Sequence, residues 1–240
     1  MTTVTIIPVL QDNYSYLLES PNHGPTAIID PGQAGPIELF LDKHKIKLDF
    51  ILNTHHHGDH VSGNEALKKK YGATILGPEK ETSRIPGIDK GLKEGDTFML
   101  GEEKIEILET PGHTSGAICF HLKNSGIVFT GDTLFSLGCG RLFEGTPEQM
   151  HKSLQKIAAL SDHTLIYCGH EYTKANANFC AHITPDNPAL QNRILEINTL
   201  RASGKPTLPV DIGTEKATNV FLMAKDSNDF ARLRRLKDSF

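Results

Sequence analysis

The sequence has few cysteines and no closely spaced pair of them: its four are Cys119, Cys139, Cys168 and Cys180. Disulfide frameworks and zinc ribbons use cysteines in close pairs, so the sequence predicts neither of them. Isolated cysteines are typical of reduced cytosolic proteins, and we therefore expect a cytoplasmic protein. A chain of 240 residues is long enough to fold around a core without disulfide bonds.

Long hydrophobic runs and an excess of positive charge are also missing. No stretch of about 18 apolar residues occurs, so no transmembrane helix is predicted. Residues 1–8 lack the basic region of a signal peptide. The 25 Lys and Arg residues are outnumbered by 29 Asp and Glu residues, for a formal net charge of −4. This balance does not favour binding to nucleic acid or to an anionic membrane, and we expect neither as a partner.

Alternating strand and helix patterns predict an α/β fold in the first part of the chain. Short β-rich runs occupy residues 26–30, 48–53 and 164–168, and helical patterns lie between them. Two capping-box patterns, Ser62–Glu65 and Thr146–Gln149, predict helix N-termini. After Tyr172 the hydrophobic spacing becomes helical. We therefore predict an α/β domain at residues 1–173 and a small α-helical domain at residues 174–240.

A cluster of four histidines follows the predicted strand 48–53. Side chains alternate in an extended segment, so His55 and His57 can bind one metal ion while His56 points away. Imidazole groups suit zinc, iron or manganese. A histidine tag is the alternative interpretation, but tags lie at chain termini and do not contain an aspartate in register.

Further candidate metal ligands stand after a turn or at predicted strand ends. A turn at Gly58 follows the first histidines and directs a carboxylate and an imidazole toward a second point; these are Asp59 and His60. Three more candidates follow later strands: His113, Asp132 and His170. Each of these three, taken singly, is better explained as structural. Together they predict a metal site at one edge of a sheet.

These residues resemble, in type and order, the metallo-β-lactamase superfamily. The resemblance rests on the Thr-His-x-His-x-Asp-His pattern of residues 54–60, followed by a histidine, an aspartate and a histidine. It implies an αββα sandwich with a small α-helical C-terminal domain, and two divalent metal ions, with zinc favoured over iron or manganese. The ligands that it implies for the first ion are His55, His57, His113 and Asp132. It implies as ligands of the second ion Asp59, His60, His170 and the bridging Asp132. Asp30 would orient a ligating imidazole.

Three other segments, residues 138–145, 168–173 and 234–240, resemble the glyoxalase II (hydroxyacylglutathione hydrolase) family more closely. The resemblance implies five residues that contact glutathione: Arg141, Phe143, Tyr172, Arg234 and Lys237. Some family members have lysine and tyrosine at positions 141 and 143, so this chain lacks one hydroxyl group there. Arg234 and Lys237 share a helix face and could bind carboxylates, although a solvated helix end explains them as well.

The resemblance also implies the reaction, which is the hydrolysis of S-D-lactoylglutathione to glutathione and D-lactate in methylglyoxal detoxification. A hydroxide held by the two metal ions and oriented by Asp59 and Asp132 would attack the thioester carbonyl. The expected partner is therefore a small-molecule glutathione thioester, and we expect a monomer. With such a hydroxide, Cys139 is not needed as a nucleophile.

Three alternative functions use the same superfamily fold. A glutathione persulfide dioxygenase would use a single iron and leave the ligands of the second ion lost or unused, whereas all of them are present here. A nuclease would need a basic surface, which this composition does not favour. A binding module with a vestigial site is disfavoured by the complete set of ligands.

Overall fold

The computed structural model describes residues 2–240, which form two compact units. The first unit comprises residues 2–109 together with residues 116–131. The second comprises residues 110–115 together with residues 132–240. None of the helices in the described residues is both long enough and apolar enough to cross a membrane.

The first unit contains ten strands and three α-helices. The strands are β1 (Thr3–Val9), β2 (Asn13–Glu19), β3 (Thr26–Ile29), β4 (Phe50–Leu52), β5 (Thr74–Pro78), β6 (Lys90–Leu92), β7 (Thr97–Leu100), β8 (Glu103–Glu109), β9 (Ile118–Leu122) and β10 (Ile127–Gly131). The helices are α1 (Ala34–His44), α2 (Gly58–Val61) and α3 (Asn64–Tyr71), with a 3-10 helix at Glu79–Arg84.

Strands β1–β6 form one sheet in sequential order. The pairs β1–β2 and β2–β3 are antiparallel, whereas β3–β4, β4–β5 and β5–β6 are parallel. Helices α1 and α3 cover one face, where Ile37, Leu41 and Leu67 join Ile28 and Ile51 in a fully buried cluster. Each such side chain contributes about 1.5–3 kcal/mol by leaving water. Burial on both faces explains why the parallel strands β3 and β4 are nearly continuous apolar runs.

Strands β7–β10 are antiparallel, with β8 between β7 and β9. Aromatic side chains join them to the first sheet: the rings of Tyr16 and Phe129 have centroids 5.4 Å apart, and those of Phe50 and Phe98 6.5 Å apart. The first unit is therefore a layer of helices on two packed sheets.

The carboxyl ends of two parallel strands position polar residues at one edge of the first sheet. Asp30 directly follows β3, and the histidine-rich segment 54–60 begins two residues after β4. The carboxyl ends of neighbouring parallel strands lie at the same sheet edge, so the topology brings Asp30 next to the histidines.

The second unit contains five helices and two short strand pairs. The helices are α4 (Pro147–Ala158), α5 (Thr173–Ile183), α6 (Pro188–Ala202), α7 (Ile212–Thr218) and α8 (Ser227–Ser239). The antiparallel strand pairs are β11 (Leu134–Phe135) with β12 (Gly138–Cys139), and β13 (Leu165–Cys168) with β14 (Val210–Asp211). The rings of Phe179 and Phe230 both pack on that of Phe221, each with centroids 5.8 Å apart, and link α5 to α8.

One predicted capping box is confirmed and the other is wrong. Thr146 Oγ1 accepts a hydrogen bond from Gln149 N, and Thr146 N donates to Gln149 Oε1 at 2.9 Å, so both halves of the box form at the start of α4. Ser62 instead ends the short helix α2, and its hydroxyl donates to Gly58 O. Helix α3 therefore begins after Gly63 without a side-chain cap.

Candidate metal centre

Asp30 connects Thr54 and His60 in the first unit through hydrogen bonds to its carboxylate. Its carboxylate accepts hydrogen bonds from Thr54 N at 2.7 Å, from Thr54 Oγ1 at 2.6 Å and from His60 Nδ1 at 3.0 Å. Its φ of 47° lies in the left-handed region, which aspartate tolerates better than most residues. Because a carboxylate only accepts, Nδ1 of His60 carries the proton and Nε2 keeps a lone pair for a metal ion.

Thr54 extends this orientation to His55. Its hydroxyl donates to Asp30, so the same oxygen accepts from His55 Nδ1 at 3.0 Å. His55 Nε2 then lies 3.2 Å from His57 Nδ1. Two nitrogen ligands of a tetrahedral zinc ion, each about 2.0–2.1 Å from it, stand roughly 3.3 Å apart, so this pair has the spacing for one ion.

His56 faces away from this pair, in agreement with the alternation argument. Its backbone N and its Nδ1 each lie 2.8 Å from Glu81 Oε2, and Glu81 is completely buried. Gly116 N donates to the other carboxylate oxygen at 2.9 Å. Glu81 therefore anchors the backbone of the histidine segment.

Asp59 and His60 form a second pair of candidate ligands. Asp59 Oδ2 lies 3.4 Å from His60 Nε2 and accepts a hydrogen bond from Asn13 Nδ2 at 2.9 Å. Asn13 also donates to the backbone oxygen of Asp59 at 3.2 Å. A Cβ at Gly32 would overlap that oxygen, so glycine is required there for the close approach.

In the second unit, one carboxylate oxygen lies near two imidazole nitrogens. Asp132 Oδ2 is 3.5 Å from His113 Nε2 and 3.2 Å from His170 Nε2, and all three residues are buried. His113 Nδ1 lies 2.8 Å from the carbonyl oxygen of Arg141 and must donate to it, so its Nε2 keeps the lone pair. A Cβ at Gly140 would overlap Asp132 O. This arrangement suits a carboxylate that bridges two ions.

The five residues expected to contact glutathione differ in exposure. Arg141 and Phe143 are exposed, and Tyr172, which is 38% exposed, stacks on His170 with ring centroids 4.6 Å apart. Arg234 is only 6% exposed; it donates to Cys139 O at 3.0 Å and twice to Asp238 Oδ1.

Lys237 belongs to α8, as Arg234 does, and is partly buried. Its Nζ lies 5.3 Å from the ring centroid of Phe179 and donates to Ala175 O at 3.3 Å. Burial is the largest of the effects that lower the pKa of the Lys237 ammonium, and the neighbouring Arg234 cation lowers it further. Both effects disfavour the charged form of the Lys237 side chain.

The cysteines do not have the features of nucleophiles. All four are buried free thiols. Burial raises the pKa of Cys139 to about 11 and that of Cys168 to about 12, so both thiols stay protonated at neutral pH.

The sequence interpretation assigned no roles to Thr54, Asn13 and Glu81. Thr54 directly precedes the histidines, so its position in the sequence could have indicated a role in orienting them. Asn13 lies 46 residues from Asp59, and Glu81 lies 25 residues from His56, so no local pattern could reveal these contacts.

Two family models together match nearly the whole chain. Residues 10–170 match the metallo-beta-lactamase superfamily, and residues 171–240 match the hydroxyacylglutathione hydrolase C-terminus. Two proteins described as hydroxyacylglutathione hydrolase, from Brucella ovis and Brucella abortus, are each 50% identical to this chain, over 95% of this chain and 95% of the relative.

Solved structures share the fold at lower identity. ETHE1 from Myxococcus xanthus superposes with a TM-score of 0.74 and 24% identity, covering 98% of this chain and 90% of that protein. The B3 metallo-beta-lactamase BLEG-1 gives a TM-score of 0.70 and 22% identity, covering 92% of this chain and 99% of that protein.

Proposed function

The chain belongs to the hydroxyacylglutathione hydrolase family of the metallo-β-lactamase superfamily, and on this basis we propose which residues carry its reaction. It is a thioester hydrolase that acts on hydroxyacylglutathione, and the predicted fold class, a metallo-β-lactamase fold followed by a helical C-terminal region, is confirmed. The match of residues 171–240 favours this function over a persulfide dioxygenase. The proposed substrate is S-D-lactoylglutathione, with glutathione and D-lactate as products.

The clustered His and Asp residues of a metallo-β-lactamase chain indicate divalent metal ions, and we assign two of them. The observation that carries this proposal is that Asp132 Oδ2 lies close to the Nε2 atoms of two histidines, His113 and His170. Following the family pattern, the ligands of the first ion are His55, His57, His113 and Asp132. Those of the second ion are Asp59, His60, His170 and Asp132.

The donor set fits zinc. It consists of imidazole nitrogens and carboxylate oxygens without thiolates. Three of the imidazoles, those of His60, His55 and His113, are oriented by Asp30, Thr54 and a backbone carbonyl respectively. Iron and manganese accept the same donors, so elemental analysis of the purified protein distinguishes the three metals.

Divalent ions at such a site supply Lewis acidity, which lowers the pKa of a coordinated water toward neutrality and stabilises negative charge on a carbonyl oxygen. Asp59 and Asp132 accept hydrogen bonds and so orient the attacking oxygen. Asn13 holds the Asp59 carboxylate in place for this role. The leaving group is the glutathione thiolate, which is weakly basic and needs no strong general acid.

For glutathione binding, the exposed Arg141, Phe143 and Tyr172 offer a cation and two aromatic rings, and Lys237 offers a partly desolvated ammonium. Arg234 already donates to Asp238, so a substrate carboxylate that binds Arg234 must displace Asp238. The exchange replaces one charge-assisted hydrogen bond of Arg234 by another of the same kind.

We also propose a catalytic domain at residues 1–173 and a helical substrate-binding domain at residues 174–240. The two family matches support this division, because one ends at residue 170 and the other begins at residue 171. The four buried free cysteines support a cytoplasmic location. The proposed monomer is tested by light scattering on the purified protein.

A thiol-release assay with S-D-lactoylglutathione, run on protein of measured metal content, tests the proposed function. We expect two metal equivalents per chain and one thiol released per D-lactate formed. Oxygen consumption with glutathione persulfide, together with one iron per chain and no thiol release, would contradict the proposal.

A further inference from the structure

The hairpin formed by β11 and β12 begins at Leu134, two residues after Asp132. A buried glutamate of α7 makes hydrogen bonds to its turn. Glu215 is fully buried; its Oε1 accepts from Ser136 Oγ at 2.9 Å and its Oε2 accepts from Leu137 N at 2.8 Å. Leu137 has a φ of 59°, so this turn needs outside contacts to stay in shape. Glu215 therefore fixes both central residues of the turn.

Two asparagines complete the anchoring. Asn219 Nδ2, also from the region of α7, donates to Glu215 Oε2 at 2.9 Å and to Gly138 O at 3.0 Å. Asn176 of α5 donates to Ser136 O at 3.1 Å. Strands of two residues cannot satisfy these backbone groups themselves, so the helices define the position of the hairpin.

The hairpin presents Phe135 to a proposed metal ligand. The Phe135 ring packs edge-on against His170, with centroids 5.9 Å apart and planes at 85°, and against Tyr172 at 5.4 Å and 81°. Tyr172 stacks on the face of His170, with planes 5° apart. Phe135 and Tyr172 thus hold the His170 imidazole from two directions. In this orientation, His170 Nε2 lies 3.2 Å from Asp132 Oδ2.

We propose that Glu215 and Phe135 are positioning residues for the second metal ion, with Glu215 fixing the hairpin and Phe135 fixing the His170 ring. The helical C-terminal region then contributes to metal binding as well as to substrate binding. This inference rests on the proposed two-ion site.

The test compares metal retention by Glu215→Ala, Phe135→Leu and a control variant, Glu103→Ala. Glu103 is also a buried carboxylate that accepts a backbone N–H, from Asn124 at 3.0 Å, and a serine hydroxyl, from Ser125 at 2.5 Å. It belongs to the β8–β10 part of the first unit and has no part in the proposed site. Metal-loaded proteins are titrated with a chromophoric chelator, which gives a dissociation constant for each ion.

We expect Glu215→Ala and Phe135→Leu to weaken binding of the second ion about tenfold or more, with the first ion unaffected. Glu103→Ala should retain both ions with wild-type affinity. Glu215→Gln should restore binding, because its oxygen can accept from Leu137 N and Asn219 while its NH₂ donates to Ser136 Oγ.

Wild-type affinity for the second ion in both test variants would overturn the inference. If Glu215→Ala does not fold, Phe135→Leu decides in the same way, since a buried leucine preserves the apolar contact but not the ring. A wild-type protein that binds a single ion contradicts the proposed function instead, and that result is obtained before any variant is compared.

Discussion

Asp30 and His60 lie thirty residues apart in the chain, and their Oδ2 and Nδ1 atoms are 3.0 Å apart in a buried hydrogen bond. The same Asp30 oxygen accepts from the Thr54 hydroxyl, which in turn accepts from His55. One carboxylate therefore determines which nitrogen is available for metal binding in two histidines. These histidines are assigned to different ions.

Replacement of Thr54 tests the link from Asp30 to His55. Thr54→Val removes the hydroxyl at nearly constant volume, and we expect binding of the first ion to weaken about 10- to 100-fold. Thr54→Ser keeps the hydroxyl and should remain close to wild type. Chelator competition measures both. Equal affinity in the valine and serine variants would show that the hydroxyl has no part in orienting His55.

Asp132 should be the least replaceable ligand. Asp132→Ala removes a donor from each ion and leaves two cations without a shared anion between them. We expect loss of both metal equivalents in elemental analysis and loss of measurable thiol release. An Asp132→Ala protein that keeps two ions and full activity would contradict the bridge.

His56 should matter for stability and not for metal binding. His56→Ala leaves the buried Glu81 carboxylate without one of its partners, which costs about 1–3 kcal/mol in the free energy of unfolding. Metal content should stay at the wild-type value, whereas His55→Ala should lose metal. Denaturant unfolding and elemental analysis measure the two effects. Equal metal loss in both variants would refute the alternation argument.

The buried thiols should lower stability at high pH. Burial raises the pKa of Cys168 from 9.0 to about 12, so unfolding releases a proton once the pH exceeds 9. The free energy of unfolding should fall by roughly 1 kcal/mol per pH unit per thiol between pH 9 and the folded pKa. Cys168→Ala should show a shallower decline than wild type above pH 9.

Alanine substitutions of Cys139 and Cys168 test whether these cysteines take part in the reaction. Cys139→Ala and Cys168→Ala, with full metal content, should hydrolyse the thioester within a small factor of the wild-type rate, because thiols with raised pKa are poor nucleophiles. Complete inactivation of a folded, metal-loaded Cys139→Ala protein would instead indicate nucleophilic catalysis.

The proposed carboxylate contacts of Lys237 and Arg234 lie far from the bond that breaks. Lys237→Ala should therefore raise KM about 5- to 100-fold and lower kcat much less. Arg234→Ala should also raise KM and, because Arg234 is buried against Cys139 O, should in addition lower stability. The effect on KM should shrink at high salt.

A neutral thioester without glutathione is the control substrate for these variants. Wild type and both variants should hydrolyse it slowly and at nearly equal rates. An unchanged KM for the glutathione thioester in both variants would contradict the carboxylate contacts.

Local pattern in the sequence was enough for several features. Alternation along an extended segment separated His55 and His57 from His56, because side-chain direction in such a segment depends only on sequence position. The Thr146–Gln149 capping box was predictable for the same reason, since all its partners lie within one helical turn. The family resemblance rested on ligand types and order, which are also properties of the sequence.

Only the tertiary structure decided which distant groups support these residues. Asn13 reaches Asp59 and Asp30 reaches Thr54 because strands far apart in sequence pair in one sheet. Ser62 shows the limit of local pattern, because its hydroxyl donates a hydrogen bond to Gly58 O in the preceding helix α2 and does not cap α3. Helical spacing correctly placed Arg234 and Lys237 on one helix, but the burial of Arg234 against Cys139 follows from packing between segments 95 residues apart. Spacing along a chain fixes direction within an element, whereas burial and partners depend on what the rest of the chain packs against it.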